Sequence, residues 1–179
     1  PLAACTSETS MESTAACPTA DAARYKALSL AAGIDGITFR KADSRDTGLM
    51  PVGNDVGAIC ARATDVSLCR ARVAATTATT GWSVSHSGWG NFGREYGVAT
   101  RGDDVFVIDS AEALGRAAAP IDTAEEAVAL VKLAASPSVT CGEPNVSVDG
   151  AGYVVKSVDS GVCGGSSETL YAVGRDGAL

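Results

Sequence analysis

His86 stands between Ser85 and Ser87 and is the chain's only histidine. A histidine beside hydroxyls suggests a general base working on a nucleophilic serine, the chemistry of small hydrolases. That chemistry requires an acid that orients the imidazole and a serine carried on a sharp turn. Adjacent serines rarely share one imidazole productively, and the chain has no G-x-S-x-G elbow. Hydrolysis through His86 is therefore the secondary reading. Metal chemistry is weaker still, because one histidine and no close cysteine pair are a poor zinc set. Asp43, Asp46, Gly48 and Asp55 suggest a calcium loop. Arg45 breaks the alternation of ligands, however, and the closing glutamate is missing. No catalytic residue, cofactor or metal is expected.

The six cysteines, Cys5, Cys17, Cys60, Cys69, Cys141 and Cys163, are the strongest signal. They fall into three local couples, which predicts disulfides 5–17, 60–69 and 141–163 and an oxidising compartment: extracellular, periplasmic or cell-surface. Six cysteines allow 15 connectivities, so locality alone supports this pairing. Leu2-Ala3-Ala4-Cys5 resembles a bacterial lipobox. Lipidation at Cys5 would orphan Cys17, so parity favours the disulfide.

His86 lies in an unusual segment. Residues 81–97 hold both tryptophans and five glycines. Trp82, His86, Trp89, Asn91, Phe92, Arg94 and Tyr96 together read as a ligand surface of aromatic faces and polar groups. A protein, peptide or glycan would suit it. The competing reading is a loop whose tryptophans fold back over the core.

Composition limits the partners. A net charge of −7 with scattered basic residues excludes nucleic acid. No apolar run approaches the roughly 20 residues that span a bilayer. Aromatics make up 5%, so the core must be built from small aliphatic side chains and gains from covalent cross-links.

The elements that would position these residues form an α+β domain. It has a small antiparallel sheet, made of a C-terminal meander and a hairpin, packed with two or three helices and stapled by disulfides. Residues 1–20 read as a Ser/Thr/Ala-rich segment pinned by a disulfide, and 21–179 as one globular domain. Thr19 caps a helix that Gly33 stops. Ile34 to Arg40 alternates as a short strand, and residues 41–58 have loop composition. Asp65 caps a helix that the threonine run from Thr76 dissolves. Two strands flank Arg101-Gly102-Asp103-Asp104 in a hairpin, and turn chemistry accounts for that integrin-like tripeptide. Ser110 caps a helix through Leu114. Thr123 and Glu126 form a capping box for a core helix over 124–135. Strands at Asn145–Asp149, Tyr153–Asp159 and Thr169–Arg175 suggest the meander, and self-assembly through an open sheet edge is a further reading.

The stretch from Ala113 to Ala135, with Leu114, Pro120-Ile121-Asp122-Thr123 and Glu125-Glu126-Ala127, followed by Cys141, resembles uncharacterised exported bacterial proteins. The resemblance covers about a third of the chain. It implies export and no particular activity. The expected function is an exported, non-catalytic binding or cell-surface domain.

Overall fold

A computed structural model describes residues 27–42, 50–85, 92–135, 145–160 and 166–179. The fold is α+β, with two antiparallel sheets rather than one. The first contains β1 (Gly36–Ala42), β2 (Met50–Gly57), β3 (Trp82–Ser85), β4 (Phe92–Arg101) and β5 (Asp104–Ile108). Its order is β2-β1-β4, and the far edge of β4 is shared by β3 and β5. The second is the expected meander, β6 (Val146–Asp149), β7 (Gly152–Ser160) and β8 (Ser166–Gly174). The hairpin and the meander thus belong to different sheets.

Three helices are described: α1 (Val66–Ala75), α2 (Ala111–Ala118) and α3 (Ala124–Ala135). Their starts follow local chemistry. Asp65 Oδ1 accepts the Leu68 N–H at 2.9 Å, and Ser110 Oγ accepts that of Ala113 at 3.2 Å. Thr123 Oγ1 accepts the Glu126 N–H, while the Glu126 carboxylate takes those of Asp122 and Thr123, which is the capping box. The helix opened by Ser110 runs to Ala118, a turn beyond its expected end.

α3 is apolar nearly all round, with Ala127 through Val131 and Leu133 buried. Such a helix must be covered on every side. It lies between β3 of the first sheet and β6, β7 and β8 of the second, and α2 packs beside it. On the other face of the first sheet, α1 covers β4 and β5. The layers therefore run α1, first sheet, α2 with α3, second sheet. Strand alternation assigns each face: Tyr96, Val98, Val105 and Val107 meet α1, while Ile37, Phe39, Ala99 and Ile108 join the α3 core.

Two expectations are corrected. Residues 27–33 are irregular backbone with turns at 27 and 32–33, so the helix expected to end at Gly33 does not extend over them, and its start lies outside the described residues. Much of the stretch read as loop over 41–58 is β2. Its register against β1 jumps from Thr38↔Asp55 to Arg40↔Pro51, so residues 52–54 bulge out of the pairing. Pro51, which lacks an N–H, is tolerated because β2 is an edge strand.

The opposite end of the chain is clamped by close backbone contact. A Cβ on Gly115 of α2 would run into the Gly177 carbonyl, and one on Gly177, whose φ is +81°, into that of Gly115. Gly→Ala in a helix ordinarily stabilises by up to about 1 kcal/mol. Here the sign reverses, and Gly115→Ala is expected to destabilise by about 1–3 kcal/mol through the forced backbone shift. Urea denaturation checks it, and a gain in stability would contradict the clamp.

Candidate functional site

The segment read as a ligand surface is a pair of strands, and pairing divides its aromatics. Trp82 sits opposite Glu95, on the α3 side of the sheet. It is 5% exposed and meets the Phe39 ring edge-on, with centroids 6.2 Å apart. Tyr96, the next residue after Glu95, faces α1 and is fully buried. Neither ring is open to a ligand, which corrects the expectation for these two. The reading in which Trp82 folds onto the core holds. Arg94 is exposed. Phe92 pairs with Ser85 through its backbone. His86, Trp89 and Asn91 lie outside the described residues.

Of the cysteine couples, Cys60–Cys69 is bonded and both residues are buried. Cys5, Cys17, Cys141 and Cys163 lie outside the described residues. The bridge ties the turn after β2 to α1. Thr100 Oγ1 accepts the Cys60 N–H at 3.0 Å, which joins that turn to β4.

Nearby, Asp35 gathers three segments. Its carboxylate accepts from Arg62 Nε and, at 2.8 Å, from the Gly102 N–H at the hairpin tip. Burial pushes this carboxyl up. The hydrogen bonds from Arg62 and Gly102 and the Arg62 charge outweigh burial and hold it below the usual carboxylate range. The same balance holds Glu126 low: burial raises it, while hydrogen bonds from Ser29, Asp122 and Thr123 prevail. A carboxyl lowered on folding contributes stability above its unfolded pKa and loses it as pH falls through the folded value. The melting temperature should therefore drop on acidification below about pH 4. The deficit of Glu126→Gln relative to the parent should shrink over the same range. A constant deficit down to pH 2 would contradict this assignment.

The Arg101-Gly102-Asp103 tip is also used internally. The Asp103 carboxylate accepts the Thr64 N–H at 2.7 Å and the Thr64 hydroxyl at 2.8 Å. Gly102, at φ +55°, makes the two-residue turn possible. The tripeptide is a structural turn whose acid is engaged.

The structure presents a candidate cleft that sequence reading missed. α1 sits over β4 and β5, so its flank and the neighbouring β1–β2 face form a cleft of about 440 Å³. Thr38, Arg40, Asp55, Gly57, Ala58, Ile59, Arg70 and Val73 line it. Thr38 and Arg40 point this way because Ile37 and Phe39 fill the core on the other face. The bulge in β2 lies directly beside Asp55. Bulges at sheet edges commonly re-aim side chains next to binding sites.

Arg40 forms the inner wall. Its Nη1 donates to the Thr76 carbonyl and its Nη2 to that of Val73, both at 2.8 Å. These carbonyls lie at the C-terminus of α1, where a cation is favoured. Ile59 and Val73 give the cleft an apolar floor. Asp55 and Arg70 are exposed, and neither has a partner among the described residues.

Among the described residues the lining holds no histidine, thiol or lysine, and Thr38 is its one hydroxyl. Among the described residues no group of three or more His, Cys, Asp or Glu could hold a metal ion, and no helix is long and apolar enough to cross a membrane. The arrangement suits noncovalent binding. Its charged residues come from β1, β2 and α1, and the one sequence signal was Thr38 and Arg40 sharing a strand face. No protein-family model, curated protein or solved structure matches this chain.

Proposed function

We propose that this is an exported, non-catalytic binding domain, and that the cleft between α1 and the β1–β2 face is its ligand site. The carrying observation is the lining: an apolar floor edged by Asp55 and Arg70, two charged groups that have no partner among the described residues. The buried Cys60–Cys69 bridge supports an oxidising compartment, because disulfides persist there and are rare in reducing ones.

The test is a screen of small polar metabolites by amide chemical-shift perturbation on the full chain. Saturable shifts should cluster at Thr38, Ile59, Arg70 and Val73. Shifts confined to other surfaces would remove the cleft from the proposal. Ester, amide or glycoside hydrolysis abolished by His86→Ala would replace the binding reading with the hydrolase one.

A further inference from the structure

Asp55 and Arg70 line the same cleft from opposite walls, yet they form no ion pair with each other. Asp55 comes from β2, next to its bulge, and Arg70 from α1, so each charge is carried by its own element. The second guanidinium, Arg40, is committed to the helix carbonyls of Val73 and Thr76. One negative and one positive charge are thus held apart over an apolar floor of Ile59 and Val73, with the Thr38 hydroxyl beside Asp55.

We infer that the cleft takes a small zwitterion of the free amino-acid class. Its carboxylate would meet the Arg70 guanidinium, a fork matched to two carboxylate oxygens. Its ammonium would meet Asp55, and an apolar side chain would lie on Ile59 and Val73. A simple anion would satisfy Arg70 and leave Asp55 opposing it. A simple cation would do the reverse. The overall charge of −7 also disfavours a ligand that is only an anion. The inference rests on the cleft being the ligand site.

The experiment titrates each common amino acid singly into the full-length protein, followed by amide shifts and calorimetry. The best binder is then compared with its own des-amino acid and its own decarboxylated amine. The intact amino acid is expected to bind at least about tenfold more tightly than either analogue, since each lost charge-assisted contact is worth about 1.5–3 kcal/mol. Arg70→Ala should abolish the preference over the amine, and Asp55→Asn the preference over the acid. Neither residue belongs to the core, so both variants should melt like the parent. Equal binding of the amino acid and its analogues in the cleft would overturn the zwitterion inference and leave the binding proposal standing. Inorganic phosphate bound there more tightly than any amino acid would do the same. No amino acid binding below about 10 mM, with no cleft shifts from any other metabolite, would overturn both.

Discussion

Trp82→Ala should cost about 3–5 kcal/mol, the range for deleting a buried large aromatic ring. In a chain of this length that lowers the melting temperature by roughly 6 to 20 °C. The size follows from where the ring lies. It is buried against Phe39 in the core that also receives α3, so truncation leaves a cavity next to a helix packed on every side. Trp82→Phe separates packing from hydrogen bonding. The Trp82 Nε1 has no hydrogen-bond partner among the described residues. Phenylalanine removes that buried donor while keeping most of the ring, and should therefore recover most of the loss. Calorimetry of both variants is the check. If Trp82→Ala melts like the parent, the ring is not part of the core.

The double substitution Cys60→Ala, Cys69→Ala ranks next. The bridge closes a short loop, with nine residues of sequence separation. Its loss frees the unfolded chain by on the order of 2–3 kcal/mol in the chain-entropy picture. Both cysteines also belong to a buried cluster with Val73, Tyr96 and Val98, which adds to the loss. The expected total is about 3–4 kcal/mol by guanidinium denaturation. α1 should remain helical, since the Asp65 cap and the Arg40 clasp on its C-terminus are untouched. Loss of the α1 circular-dichroism signal at neutral pH would contradict that division of labour. Reductant should act slowly on the folded protein, because neither sulfur is open to an attacking thiolate.

Legibility varied with how local the determining physics is. The bounds of α3 could be read because the Thr123–Glu126 box and the apolar run after it are contiguous. The hairpin at Gly102 was legible for the same reason, as was the Cys60–Cys69 couple. β2 was not legible. Pro51, Gly53 and Asn54 carry loop chemistry, and only an edge position with a bulge makes them a strand. Trp82 and Tyr96 looked like neighbours on a ligand face, yet strand register sends them to opposite sides of the sheet. The cleft was the least legible feature. Arg40, Asp55 and Arg70 belong to three elements, and their meeting depends on where α1 docks.

The doubly covered helix α3 has a consequence for how the molecule opens. Among the described residues the two sheets share no strand, and by connectivity alone each would melt as a separate foldon. Both, however, bury their apolar faces in one core with the same helix, through Val128 to Val131 and Leu133. Withdrawing α3 strips Trp82 and Phe39 on one side and Tyr153 and Val155 on the other in a single event. Backbone amides in the middle of β4 and of β7 should then exchange with solvent deuterium through one common opening, at one limiting free energy. Two sheets without a shared ladder should then open as one cooperative unit, because a helix serves both as their interior.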